Sequence, residues 1–479
     1  MDITSVAFAV TQIGASFSLA PCDTLLQPLI EETLAEQGKN HWRRGTLLIP
    51  SLLIWLVLVL TLRRDLNYDQ ALNWMVSGFR WLADVLPAPA KLVRDGAISH
   101  ARVKLGVEVL RVLWAKLVAA FPPLPADFHG LTSVIFDGST GTMPDTAANR
   151  AAFGKPSART GTAAFPQVRR MGLLAVAQRR LIEIAFAPYT GKGSGERALM
   201  RIILARLACQ GRLFLMDAGL YAFDGVWALT QQGGQVILKV PAHVKFTRTQ
   251  RLPDGSWLAE LTGKLADPAV PPTPQGRRHW QTVTLTVRVI RLEVPGFRPF
   301  WLMTTLRAPA ITAREIALHY HRRGDIEMAY DEIKTHQCVT LRGQSPTTLR
   351  SKLPDLVKQD IYALAITYNL VRTRISQAAT EHGQDPTAIS FLEALQHILD
   401  AAPLLTADTP DHREQKRRYL VTLLADCPID RPRRPRVNPR GVKVKMSKWT
   451  RKSASHHSEG RDIAKQLKIV DVELVGAAT

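Results

Sequence analysis

The chain has 479 residues, is 46% hydrophobic, and carries 62 Lys and Arg against 41 Asp and Glu, a formal charge of +21 at pH 7. That length and apolar content supply two or three domains with a sizeable core and exclude a wholly disordered chain, while the basic excess points to a polyanion, nucleic acid ahead of an anionic membrane surface. Cys22, Cys209, Cys338 and Cys427 stand far apart, with no C-x-x-C pair or zinc-like His spacing, so a reducing, cytoplasmic setting is expected and no disulfide framework.

Residues 1 to about 125 read as helical, with amphipathic stretches at 24–37, 46–62, 68–82 and 99–118. The stretch 46–62 is nearly all apolar between Arg43, Arg44 and Arg63, Arg64. It reaches only the lower limit of a bilayer span, about 17 residues, and contains Pro50, so a buried helix of an all-helical domain is expected rather than a membrane anchor. Ser99, Arg102 and Lys104 precede Leu105-Gly106 and fit either a DNA contact or a solvated helix face. Pro-rich joints at 86–89 and 121–125 divide this region, and the second marks the boundary to the next domain.

From about 130 the pattern turns to short β-rich runs. The run 132–136 ends on Asp137-Gly138-Ser139, and the runs 172–178 and 181–186 flank Arg179-Arg180. The Gly191–Gly195 glycine run lacks Walker spacing and reads as a loop before a helix at 196–210, so no nucleotide site is expected. The run 213–216 ends on Asp217, a helix at 221–231 follows, and a strand at 236–240 completes an α/β layer. Strand-like runs at 257–265, 282–292 and 300–306 then form a β insertion, followed by helices around 318–334 and 353–377. Between Arg431 and Lys452 ten basic residues occur with no acid, a poorly structured tail suited to tracking DNA phosphates or simply to solubility.

Two of these strands end on an aspartate. Asp-Gly also makes an ordinary turn, but acids at strand ends of an α/β sheet, joined by Glu327, build an oxygen-rich site for Mg²⁺ or Mn²⁺ and hence for phosphodiester chemistry. If the segment around Glu327 winds as one α-helix, Tyr320, Arg323, Glu327 and Lys334 fall within about 60° of arc. Leu318, Ile326, Ala329, Tyr330 and Ile333 then form the core face. Asp331, one turn beyond Glu327, is a rival ligand, and His319, His321 and His336 are expected on the surface.

The spacing Tyr-x-x-Arg-x-x-x-Glu-x-x-x-x-x-x-Lys from Tyr320 to Lys334 matches the YREK signature residue for residue. With Phe136-Asp137-Gly138-Ser139, Met216-Asp217-Ala218-Gly219-Leu220-Tyr221, Pro144-Asp145-Thr146 with Asn149, Phe153-Gly154 and 165–169, the chain resembles bacterial insertion-sequence DDE transposases of the IS-four family. The resemblance implies an α/β fold with an RNase H-like catalytic core over 126–380 and a β-rich insertion at 241–305. An all-helical, DNA-binding domain would precede it over 1–125, and a helical region with a basic tail would follow over 381–479. It implies that Asp137, Asp217 and Glu327 are catalytic and hold two Mg²⁺ or Mn²⁺ ions, while Tyr320, Arg323, Lys334 and an aromatic such as Phe300 or Trp301 contact DNA. The implied activity is binding of terminal inverted repeats, excision, and joining of 3′ ends to target DNA by a protein that dimerises on double-stranded DNA. An RNase H-like nuclease without strand transfer and a non-catalytic DNA-binding descendant are the alternatives. Two departures stand out: Ala218 follows the second acid where a basic step is usual, and Gly324-Asp325 follows Arg323 where many relatives have Trp.

Overall fold

A computed structural model describes residues 25–42, 48–73, 75, 93, 95–158, 161–267, 270, 273, 278–293, 299–337, 349–406, 410–429 and 468–469. Most of the expected helix at 68–82, together with Cys22, Cys338 and the basic tail at 431–452, lies outside them. The chain opens with α1 (Leu26–Glu36), α2 (Pro50–Leu62), α3 (Asp95–Leu105) and α4 (Val107–Ala120). There follow β1 (Thr132–Thr142), α5 (Ala147–Phe153), the short strands β2 (Ser157–Ala158) and β3 (Gly161–Thr162), β4 (Gln167–Ala175), β5 (Arg180–Pro188) and α6 (Glu196–Leu204). Next come β6 (Arg212–Met216), α7 (Phe223–Gln231), β7 (Gln235–Lys239), β8 (Thr247–Arg251), β9 (Trp257–Ala266), β10 (Trp280–Glu293) and β11 (Phe300–Thr304). Last are α8 (Ala313–His321), α9 (Asp325–Asp331), α10 (Pro354–Glu381), α11 (Phe391–Thr406), α12 (Pro410–Ala425) and β12 (Lys468–Ile469).

Several boundaries move for local reasons. The expected helix at 99–118 is two helices, because Gly106 takes φ 84° and ends α3 before α4 begins. β1 does not stop before Asp137 but runs on to Thr142, so Asp137 and Gly138 are strand residues rather than a turn. The strand β8 was not expected: its sequence, Thr-Arg-Thr-Gln-Arg, has no apolar alternation, and it forms as an edge by pairing with β9.

The chain divides into two units, Met1–Leu124 with Gly138–Gly195 and Ile326–Ile429, and Pro125–Asp137 with Glu196–Asp325 and Asp430–Thr479. In the first, the long helix α10 packs against α2, α4, α11, α12 and β5, and β4 and β5 form an antiparallel hairpin. Helix α2 starts on Pro50, whose missing N–H costs nothing at a first helical position, and every residue from Leu52 to Leu62 is buried. Its uniform apolarity therefore serves a protein core, and Thr61 is tied to Thr367 of α10 by a 2.9 Å hydroxyl bond. No described helix is long and apolar enough to cross a membrane.

Arg102 belongs neither to a DNA-facing surface nor to a solvated helix face. It is fully buried, and its guanidinium donates to Tyr68 (2.7 Å), Ser351, Gln359 (3.1 Å), the Leu356 carbonyl (3.2 Å) and Asp360 (2.8 Å). This one side chain pins the N-terminal helices to the start of α10. A second buried cluster lies further along the same helix, where Glu332 accepts from Tyr368 (3.0 Å) and from Arg372.

In the second unit β1 pairs in parallel with β6, and β6 with β7, with α7 as the crossover between the last two. The sheet then continues antiparallel through β11, β10, β9 and β8, with β12 also on β10. Fully buried Arg288 of β10 donates to the carbonyls of Ala308 and Ile311 and pairs with Asp254, which also accepts from the Ala313 N–H. The β insertion is thereby fastened to the start of α8, where Thr312 and Glu315 form a capping box.

His319 is not on the surface. It is 7% exposed, bonds the Ser133 hydroxyl at 2.6 Å and stacks on Phe128 with ring centroids 4.1 Å apart. Burial pushes its pKa down to about 4, with Asp127 opposing and Arg322 and His129 assisting.

Two expectations follow from these contacts. Arg102→Met leaves Asp360 buried without its partner and should lower the unfolding free energy by about 3–5 kcal/mol, whereas adding Asp360→Leu should recover part of that loss. A urea titration checks it, and an unchanged midpoint would contradict it. For His319, the folded pKa lies below the unfolded value near 6.5, so its contribution is complete above about pH 6.5 and drains away as pH falls towards 4. Thermal melts across that window should show a shallower acid limb for His319→Asn than for the parent chain.

Candidate active site

Parallel pairing sets the first two acids side by side. Val134 lies opposite Phe214 and Ile135 opposite Leu215, and the rings of Phe136 and Phe214 stack at 5.7 Å. Asp137 and Asp217 each stand two residues beyond that last pair, so continuing the register brings them level on neighbouring strands spaced about 4.8 Å apart, pointing to the same face. Asp217 keeps an extended backbone (φ −82°, ψ 160°), which carries the strand geometry one residue past β6. It also precedes a 3₁₀ turn, Ala218–Leu220, yet its side chain makes no capping bond and stays available for another partner. Both aspartates are partly exposed at the end of an apolar ladder whose members, Val134, Ile135, Phe214 and Leu215, are all buried.

Tyr320 and Arg323 join this group from the end of α8. Tyr320 is 8% exposed, and its hydroxyl donates to the Met216 carbonyl, the residue just before Asp217, at 3.1 Å. Burial raises the phenol well above its ordinary pKa, the Arg323 guanidinium opposes that shift, and the Asp217 carboxylate adds to it. The Lys239 backbone likewise opposes the rise. Tyr320 therefore stays a neutral phenol and serves as a post from the end of α8 onto β6.

The segment carrying the rest of the signature is not one α-helix. After α8 come a 3₁₀ turn at Arg322–Gly324, then α9, then a π turn at Glu332–His336 closed by a bond from the Gln337 N–H to the Glu332 carbonyl at 2.7 Å. Uniform winding and the arc calculated from it do not hold. The tightening falls at the Arg323-Gly324 step, where Gly is a poor helix former, and the widening falls where Glu332 turns inward to Arg372. Ile326, Ala329 and Ile333 are buried as expected, while Leu318 and Tyr330 are half-buried.

The unit boundary also passes through this segment, so Tyr320 and Arg323 belong with the two aspartates, and Glu327, Tyr330 and Lys334 with the first unit. There Glu327 is exposed on α9 and Asp331 is exposed at its end. The Tyr330 hydroxyl accepts from the Gly172 N–H of β4 at 3.1 Å, and Lys334 places its ammonium 5.2 Å from the Tyr330 ring centre. A side chain at position 172 would meet the Tyr330 hydroxyl at 3.1 Å, so a glycine there lets α9 sit close on the strand.

Trp301 lies on β11 beside Arg291, whose guanidinium stands 5.8 Å from its ring centre, with Phe246 edge-on at 5.3 Å. Phe300 is capped by Lys239 at 4.8 Å. His321 is exposed, and the side chain of His336 is outside the described residues. Reading the sequence alone missed the bond that makes Tyr320 a buried post. The signal for it was the place of Tyr320 three and four residues after the buried Ala317 and Ile316, although amphipathic counting assigned it to the polar stripe.

The donor set suits a hard cation. Asp137 and Asp217 offer carboxylate oxygens with no thiolate or imidazole beside them in their strands, the chemistry that Mg²⁺ and Mn²⁺ prefer and that zinc does not require. Among the described residues no group of three or more His, Cys, Asp and Glu forms a closed metal cage. An open carboxylate pair still fits Mg²⁺, which is held through one or two carboxylates and completes its shell with water and substrate phosphate.

Known proteins resemble the chain over most of its length. Residues 22–115 match the family described as Insertion element 4 transposase N-terminal. The chain is 28% identical over 437 residues to transposase InsG for insertion sequence element IS4 of Escherichia coli K12, covering 89% of this chain and 92% of that protein. Among solved structures it is similar to a piggyBac transposase synaptic complex with hairpin DNA, with a TM-score of 0.42 and 10% identity over 87% of this chain and 85% of the other. The match at residues 22–115 and the near full-length likeness to that relative make the chain similar to IS4 insertion-sequence transposases.

Proposed function

We propose that the protein binds the terminal inverted repeats of an insertion sequence, cuts the element free and joins its 3′ ends to target DNA through divalent-metal phosphoryl transfer. The observation that carries this reading is the parallel register of Ile135 opposite Leu215, two residues before Asp137 and Asp217, together with a complete Tyr320, Arg323, Glu327, Lys334 spacing. An RNase H-like core is supported by β1, β6 and β7 running parallel and by the antiparallel β4–β5 hairpin that follows β1.

In this reading Asp137, Asp217 and Glu327 hold two Mg²⁺ or Mn²⁺ ions. When bound, such ions activate the attacking oxygen and stabilise the leaving oxygen of an in-line displacement. Arg323 grips the scissile strand's phosphates with its planar fork, and Lys334 adds a point charge. Tyr320 contributes to DNA binding by anchoring the end of the helix that leads into Arg323, since its own hydroxyl is already engaged by Met216. Trp301, held by Phe246 and Arg291, is the aromatic contact for DNA. Phosphodiester exchange conserves bond energy, so no nucleotide cofactor is needed. Pairing two transposon ends calls for two copies of the chain on double-stranded DNA.

Cleavage of an end-labelled duplex carrying the element's own terminus tests this directly. Asp137→Asn, Asp217→Asn and Glu327→Gln should each lower Mg²⁺-dependent cleavage by about 10³-fold or more while end binding is retained, and EDTA should abolish cleavage by the parent chain. Cleavage that survives any of the three substitutions would remove that residue from the active centre. Tyr320→Phe should weaken end binding only about 5-fold, the worth of one hydrogen bond of about 1 kcal/mol. Arg323→Ala should weaken it more.

A further inference from the structure

Arg170 of β4 is a cation of the first unit that the proposed roles leave unused. Strand alternation puts it on the same face as Gly172, two residues on, which is the face that receives the Tyr330 hydroxyl of α9. One of its terminal nitrogens donates to the Thr140 carbonyl at 2.9 Å and lies 3.4 Å from the Ser139 hydroxyl, both on β1 shortly after Asp137. A Cβ at Gly141 would stand 3.4 Å from the guanidinium carbon, so the β1 backbone lies close against it. The guanidinium is therefore fixed in place.

Among the described residues no carboxylate answers its charge. The Nε–H is buried with no acceptor among the described residues, and no carboxylate there pairs with Arg170. The charged and titratable groups that act on it are Tyr330, which favours the charge, and Arg64, which opposes it, while burial lowers the pKa to about 10. It is still a cation at neutral pH. Arg64 in turn lines a cleft of about 880 Å³ in the same unit, together with Arg350 and Lys352. A half-buried guanidinium whose fork is only partly used, beside a second guanidinium and without a carboxylate, is a site built for an external oxyanion.

We propose that Arg170 is a DNA phosphate contact of the first unit, gripping the DNA backbone beside the helix that carries Glu327, with Arg64 continuing the cationic path. The inference deepens the transposase reading and rests on it for the identity of the polyanion. Two nearby donors, the Ser139 hydroxyl and the free edge of Arg170, would share one phosphate.

The test is the salt dependence of binding by the full-length protein to a fluorescent 40-base-pair duplex in EDTA, which does not depend on catalysis. Each neutralised phosphate contributes about 0.9 to the slope of log affinity against log salt, so Arg170→Ala should lower that slope by about 1. Arg170→Lys should keep the slope and lose only the bidentate grip. Arg201→Ala is the control: Arg201 is exposed and already paired with Asp224 at 2.8 Å, and the slope should not change. Thermal melts of each variant confirm that it folds. An unchanged slope in a folded Arg170→Ala protein that still binds DNA overturns this inference and leaves the transposase reading intact. A slope lowered by about 1, alongside cleavage that survives Asp137→Asn, supports Arg170 and sinks the assignment of the acids instead.

Discussion

Parallel pairing between β1 and β6 is the constraint on which the rest of the molecule depends. Two short apolar runs, each unable to bury itself alone, align so that Ile135 faces Leu215, and that register, continued two residues, brings Asp137 and Asp217 level. A slip of one residue would turn one aspartate to the opposite face and separate the pair. Val134, Ile135 and Phe136 of β1 and Leu213 to Met216 of β6 are buried on both faces of the sheet, so this pairing lies inside the core. The register specifies the chemistry.

Around that ladder the protein uses buried polar groups as fixtures. Tyr320 ties the end of α8 to the residue before Asp217, His319 ties the same helix to Ser133 at the start of β1, and Arg288 ties the β insertion to the loop entering α8. All three act within the second unit, and all three hold elements that bear on the two aspartates. In the first unit Arg102 and the Glu332–Arg372–Tyr368 cluster do comparable work for α10 and for the turn after Glu327. Such groups are poor sources of net stability compared with apolar packing, but removing one partner is costly, so they enforce one arrangement. The π turn at Glu332–His336 is an example: Glu332 bonds Arg372 and Tyr368 at the point where the helix widens.

Much of this was legible in the residues. The α/β layer, the β insertion, the buried rather than spanning character of α2, and the two strand-associated aspartates follow from period-two and period-3.6 patterning and from length. What patterning could not show is where a polar side chain goes once the chain folds. Arg102 and His319 look like surface residues because local spacing says nothing of partners hundreds of positions away, such as Asp360, or of an aromatic floor such as Phe128. β8 was missed for the opposite reason, since an exposed edge strand needs a neighbour more than it needs apolar residues. The helical arc failed because 3₁₀ and π turns change the angle per residue, which a constant winding cannot represent.

The central claim is that Asp137, Asp217 and Glu327 serve one divalent-metal centre. Electron paramagnetic resonance of Mn²⁺ titrated into the full-length protein bound to end DNA measures this most directly. The account predicts bound Mn²⁺ in the parent complex, and a clear loss of bound ion in Asp137→Asn, Asp217→Asn and Glu327→Gln alike. Mn²⁺ binding that is unchanged in Glu327→Gln while lost in the aspartate variants would contradict it.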